Sequence, residues 1–420
     1  MTGIWAGGRA IGEWLIRHAG WCLAVSVALH ALAVGTHPTQ PLDLRVYREA
    51  SPHVLSGGLY DYAVHTAPPI PLLPFTYPPF AALVFLPLSR LPWTAAIVVW
   101  QAVSVAALVV ISVCAVRLLP ARPDGRAKDL ALLWAAAGLW LEPVRHTLDQ
   151  GQVNLLLGAL VLGGLAATRA AVSRGAAVGL AAAVKLTPAV GGLYLLATRQ
   201  WRAAAWAVAA GAAATAVAWW VAPRESARYW STLVTDPHRV GPVWSVRNQS
   251  LRGALSRLLG PDAGSSATWW AACALVTVVA GWALWAAARR RDLLGALVAV
   301  ELYGLLVSPV SWSHHWIWCL PAMIWLVHGP HRRRLLARLA FAVWAPATGA
   351  RLVPQLIRLE DRLTRTSPYP AALAWPGSVY VVCAVLTLFA LAAGTARQPG
   401  TEEADDGRSG DRLEGSLTRP

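Results

Sequence analysis

The sequence predicts an all-α polytopic membrane protein, on three observations. Of 420 residues, 56% are hydrophobic and only 14% charged, where a soluble chain would carry about a quarter charged residues. Apolar runs long enough to cross a bilayer recur from end to end, and the mean hydropathy is +0.47. These runs are continuously apolar rather than alternating, which excludes a β-barrel. The 23 Trp often close the runs, where interfacial anchors sit.

The formal net charge of +15 does not point to nucleic acid, because the basic residues punctuate the spans. They cluster at 117–128, 169–174, 199–202, 289–291 and 331–334. That is the positive-inside pattern, with anionic lipid headgroups as its counterpart. The first apolar segment is followed by no small-residue cleavage site and reads as a retained span. Cys22, Cys114, Cys273, Cys319 and Cys383 lie apart in apolar segments. With no paired spacing they make neither a disulfide framework nor a metal site.

Candidate spans are 14–36, 93–117, 129–145, 151–168, 175–186, 188–198, 202–222, 268–288, 292–310, 313–329, 335–350 and 371–394. The pair 175–186 and 188–198 is either one span kinked at Pro188 or two half-length helices meeting near Lys185. The run 77–88 either crosses or lies at the interface. Charge parity selects the second choice in each case and gives about twelve transmembrane helices with both termini cytoplasmic. Residues 1–396 then form one multi-span domain, and 397–420, rich in Gly, Asp, Glu and Arg, a disordered cytoplasmic tail. Under this topology the unusual polar residues collect on the external face: Asp43 with its loop, 146–154, the turn at Lys185, the loop 223–267 and the corner 311–315.

The first of these stretches, residues 41–50, reads as a short polar helix opened by Pro41 and stopped before Pro52. Asp43 and Tyr47, four apart, share one face; Arg45 and Arg48 share another. Taken alone, Asp43 could simply complement the helix N-terminus. The stretch His146–Asn154 sets Asp149, Gln150, Gln152 and Asn154 at the mouth of a helix pair. One or two such groups would cap helix ends, whereas four point to a cavity that hydrogen-bonds something polyhydroxylated. Lys185 either snorkels to the interface or meets a phosphate where Pro188 frees backbone lining a cavity.

Arg247–Arg252 is either a solvated loop or a cluster for sugar hydroxyls or phosphate, with Asn248, Gln249 and Arg252 its candidates. In Ser311–Trp316 the residues of an α-helix would point about 100° apart, so only one of His314 and His315 would face a given cavity. Two histidines without a third ligand do not make a metal site. Trp312 either stacks on a sugar or marks the interface.

The stretches DLRVYREA (43–50), FTYPPFAALVFLPL (75–88), LDQGQVNLLL (148–157), KLTPA (185–189), NQSLRG (248–253) and SPVSWSHHW (308–316) cover most of the chain in one order. In that order they resemble the family-87 membrane glycosyltransferases, the polyprenol-phosphate-mannose-dependent α-(1→2)-mannosyltransferases of actinobacterial envelopes. The resemblance implies a C-type glycosyltransferase fold, with Asp43 as the acid/base residue and His314 or His315 at the donor phosphate. Lys185, Arg45 and Arg252 are then candidates for that phosphate. Asp149, Gln150, Gln152, Asn154, Asn248, Gln249, Trp312 and Tyr47 are candidates for the sugars.

The expected partners are a polyprenyl-phosphate sugar, a mannosylated glycolipid acceptor and the lipid bilayer, with no cofactor, metal or nucleic acid. The implied reaction is an inverting transfer of mannose to a phosphatidylinositol mannoside or lipomannan-type glycolipid, on the extracytoplasmic side of the plasma membrane. Relatives in the family that use decaprenyl-phosphate-arabinose keep an arabinofuranosyltransferase open. A glycolipid transporter or flippase is disfavoured, since the polar residues gather on one face and no internal repeat is present.

Overall fold

In lipid a backbone must satisfy its own hydrogen bonds, so long apolar runs fold as helices. The computed structural model describes residues 11–36, 40–65, 72–120, 125–260, 262–363 and 371–393, and is 79% helical. The expected tail from 397 lies outside the described residues, as does 66–71 of the first external loop.

The helices longer than a single turn begin with α1 (Ala19–Thr36), α2 (Leu42–Ala50), α3 (Pro79–Phe85), α4 (Trp93–Arg117), α5 (Ala127–Gly138) and α6 (Glu142–Gln150). There follow α7 (Asn154–Ala167), α8 (Ala171–Val184), α9 (Gly191–Ala197), α10 (Trp201–Val221), α11 (Pro223–Ser231) and α12 (Leu251–Leu259). The series closes with α13 (Ala267–Arg289), α14 (Leu293–Val307), α15 (Cys319–His328), α16 (Leu335–Gly349), α17 (Leu352–Leu363) and α18 (Val379–Ala392). Strands β1 (Ala63–Val64) and β2 (Leu73–Pro74) pair antiparallel beside α2.

Among the described residues, five helical stretches are long and apolar enough to cross a membrane: α1, α4, α10, α13 and Ala372–Ala392, which ends in α18. Their outer faces remain exposed, Trp220 by 85%, as befits helices whose solvent is hydrocarbon. Where apolar run length and charge parity give about twelve crossings, the structure breaks several runs into shorter pieces. The run 129–145 parts at Leu139–Leu141, after which Pro143 sits in the first turn of α6. Helices α6 and α7 then meet at 118°. The run 313–329 divides into a 3-10 turn, Ser313–Trp318, and α15. Run 77–88 is the short α3 followed by a 3-10 turn. The long loop 223–267 is largely structured, holding α11 and α12.

Helix α8 packs on α10 through glycine. A Cβ on Gly175 would lie 2.1 Å from the Ala203 carbonyl oxygen, and one on Gly179 2.1 Å from that of Ala207. Such small-residue contacts let membrane helices approach closely. The contact fixes the end of α8, from which Lys185 projects. All five cysteines are free thiols.

Candidate active site

Pro41 opens α2, and the helix buries Leu44, Val46, Tyr47 and Ala50. That leaves Asp43 enclosed by protein but with one side open to a cavity of about 1340 Å³. Gly151 joins α6 to α7 with φ +68°, and its Cα passes so close to α2 that a Cβ would lie 2.6 Å from the Leu44 Cβ. Only glycine meets both demands. The close passage carries Gln152 beside Asp43, whose charged form its side chain favours. The Gln152 Oε1 faces Tyr47 and Tyr77 hydroxyls, each at 3.0 Å, and Lys185 Nζ at 3.5 Å. The two hydroxyls are 2.8 Å apart.

Lys185 breaks from helical geometry at the end of α8 and is buried. Its ammonium donates to Asn154 Oδ1 at 2.7 Å and sits 5.3 Å from the centre of the Tyr77 ring. Burial pulls its pKa down to about 7, against the attraction of Asp43. Burial likewise raises the Asp43 carboxyl above its ordinary range, while the Gln152 bond and the charges of Lys185 and His146 oppose the rise.

His314 and His315 both line this cavity, 4.7 Å apart between ring centres. The expectation that only one would face it assumed an α-helix; the segment is a 3-10 turn with non-helical backbone at Trp316. Burial holds both imidazoles well below the usual histidine range, so they are neutral near pH 7. The His314 carbonyl accepts from Thr147 Oγ1 at 2.8 Å and Asn154 Nδ2 at 2.9 Å, which locks the turn to α6 and α7.

The cavity thus gathers Asp43, Gln150, Gln152, Lys185, Arg252, Trp312, His314 and His315 from the sequence-based candidates. Arg252 reaches it already paired with Asp262, whose carboxyl it holds below the usual range. The remaining candidates lie elsewhere. Arg45 is taken by Glu49 at 2.8 Å, and Asp149 by Arg145 at 3.2 Å. Tyr47 and Asn154 stand behind the lining as supports. Asn248 and Gln249 are fully buried braces. The Asn248 backbone bridges to Trp312, its Oδ1 accepts from Ser311 N at 2.9 Å, and Gln249 N donates to Ser311 O at 2.8 Å.

Sequence reasoning missed four residues. Arg239, also on the cavity, donates to the Phe75 carbonyl at 3.3 Å. His146 lines the cavity and Glu142 lies fully buried beneath it. Glu301 is buried in a smaller cavity that shares His315 as a wall. Its position as the lone acid in the apolar run 293–310 was the available signal.

Membrane-length helices around a cavity holding a carboxylate, a buried amine and two imidazoles make a membrane-bound group-transfer enzyme. The chain belongs to glycosyltransferase family 87, whose profile matches residues 75–309. It is 42% identical over 332 residues to a polyprenol-phosphate-mannose-dependent α-(1-2)-phosphatidylinositol pentamannoside mannosyltransferase of Mycolicibacterium smegmatis, covering 79% of this chain and 80% of the relative. A Mycobacterium tuberculosis protein of the same description is 42% identical over 84% of this chain and 81% of its own length. A second from that species, described as a phosphatidylinositol mannoside mannosyltransferase, is 36% identical over 78% of this chain and 81% of its own. No solved structure matches the chain.

Proposed function

We propose that the protein transfers mannose from polyprenyl-phosphate-mannose to a phosphatidylinositol mannoside, inverting at the anomeric carbon to give an α-(1→2) linkage. The observation that carries the mechanism is the joint placement of Asp43 and Lys185 around Gln152 on one cavity. The named donor and acceptor of the relatives support the choice of sugar and lipid.

A β-mannosyl phosphate that yields an α-mannoside undergoes one inversion, so one carboxylate suffices. Asp43 takes the proton of the acceptor hydroxyl as its oxygen attacks, a contribution of about 10²–10⁴-fold. The departing polyprenyl phosphate gathers negative charge and needs cations or N–H donors rather than an acid. Lys185, with His314 and His315, faces it. We place the site on the extracytoplasmic side of the plasma membrane, in a C-type architecture where the shorter helices bring the crossings to about twelve.

The test is mannose transfer from labelled polyprenyl-phosphate-mannose to a panel of mannosylated phosphatidylinositols, wild type against Asp43→Asn at matched expression. Transfer by wild type and its loss in a folded variant support the reading. Activity only with polyprenyl-phosphate-arabinose changes the sugar; full activity in the variant removes Asp43 as the base.

A further inference from the structure

His146 occupies a place in the cavity that the transfer mechanism leaves without a task. Its Nδ1 is 2.8 Å from Ser313 Oγ and 3.4 Å from Glu142 Oε1. The Ser313 hydroxyl donates to that same Glu142 oxygen at 3.0 Å, and the Tyr380 hydroxyl donates to the other at 2.5 Å. Since Ser313 spends its one proton on Glu142, its oxygen accepts from His146, and Nδ1 carries the hydrogen. The Nε2 is therefore an unprotonated acceptor. The Gln150 amide reaches it at 3.4 Å, too long for a strong bond.

A carboxylate fixing one ring nitrogen so that the other can take a proton is the general arrangement of an activated base. The groups facing His146 come from every side. Glu142 lies on its own helix and Tyr380 on α18; Asp43 is on α2, Lys185 follows α8, and His314 and His315 lie in the 3-10 turn. The His314 ring meets that of His146 edge-on at 5.0 Å. Asp43 lies within electrostatic reach of His146, the smallest of the influences on its carboxyl.

We propose that His146, oriented by Glu142 and Ser313, is a second proton acceptor of the transfer reaction that relieves Asp43 of its proton. This rests on the mannosyltransferase reading. As the acceptor oxygen bonds the anomeric carbon, its O–H breaks and the proton goes to Asp43. The bond from anomeric carbon to phosphate breaks with its electron pair leaving on polyprenyl phosphate. The proton then passes from Asp43 to His146 Nε2, directly or through one water. It departs to solvent or to the released phosphate, and Asp43 is a carboxylate again. Glu142 and Ser313 are positioning residues in this scheme, and the negative charge of Glu142 stabilises the imidazolium.

The test uses the full-length enzyme in nanodiscs with polyprenyl-phosphate-mannose and a phosphatidylinositol mannoside. His146→Asn, which keeps a hydrogen-bonding group near Nδ1, lowers kcat by about 10- to 100-fold, with both KM values within about threefold. His146→Ala regains activity on adding imidazole, in proportion to its free base. Glu142→Gln removes the carboxylate that orients the ring, so kcat falls with both KM values within about threefold. A merely structural role would not produce the imidazole rescue.

Unchanged kcat in folded His146→Asn overturns the proposal, as does a folded His146→Ala that imidazole does not restore. If His146→Asn unfolds, the imidazole and Glu142→Gln measurements decide. Wild type without mannose transfer fails the functional reading itself, whereas active wild type with indifferent His146 variants fails only this inference.

Discussion

Gln152 lies beside Asp43 across the bend between α6 and α7, and the amide has only one way to lie. Tyr47, Tyr77 and Lys185 all approach its oxygen. These donors fix Oε1, so the amide nitrogen is left to donate to Asp43. Gln152→Met removes that donor and lets burial raise the carboxyl further. A hydrogen bond to a charged group contributes about 1.5–3 kcal/mol, so the Asp43 step in the acid limb of kcat/KM rises by about 1–2 pH units. A limb that stays in place would show that Gln152 does not tune the base.

Lys185 sets the opposite limb. With its pKa at about 7, the ammonium is present below that value and lost above it. The kcat/KM for donor therefore falls as pH rises through about 7, since that ratio reports the free enzyme. Bound phosphate favours the charged form, so the limb of kcat at saturating donor lies higher. Lys185→Met abolishes the limb in both profiles and weakens donor binding. An unchanged basic limb in that variant would assign it to another group.

Gly151→Ala strains the junction twice. The positive φ costs about 1–2 kcal/mol for a residue with a Cβ, and the crowding against Leu44 a further 1–3 kcal/mol or so. Thermal melting of the purified protein should fall accordingly, with transfer reduced because Gln152 moves. Adding Leu44→Ala brings no recovery, because alanine keeps the Cβ against which the new methyl lies.

Asn248→Ala separates bracing from sugar binding. The side chain holds Ser311 N and donates to the carbonyls of Val243 and Pro309 at 2.9 and 3.1 Å. Deleting it strands buried groups at about 1–3 kcal/mol each. Melting falls and kcat drops with it as the histidine turn loosens. Raised acceptor KM at unchanged melting would instead make Asn248 a sugar ligand.

Much of this arrangement is written locally in the chain. The polar helix bearing Asp43 and Tyr47 follows from Pro41, Pro52 and four-residue spacing. Gln152 and Lys185 stand out as polar groups at the ends of apolar runs. What local reading cannot supply is which polar groups are already engaged. Arg45 and Asp149 are each neutralised by a residue four positions away on the same helix, where the pattern offers a partner but does not say that it is used. Glu142 is joined to Tyr380 across 238 residues of sequence, and no periodicity records such a contact. The histidine pair was misjudged for a different reason. An assumed α-helix separated two side chains that a tighter turn sets on one cavity.

The cavity wall includes Trp269 and Trp270, in the first turn of α13. Trp270 is largely exposed, and beyond it Leu275 and Val278 present an apolar outer face. An opening beside such a face is reached by sideways travel within the bilayer plane. For substrates anchored by hydrocarbon chains the governing quantity is then mole fraction in the lipid phase, not molarity in water. Diluting the bilayer with inert phospholipid at fixed bulk substrate will slow the enzyme, whereas diluting the whole vesicle suspension with buffer will leave turnover per enzyme unaltered.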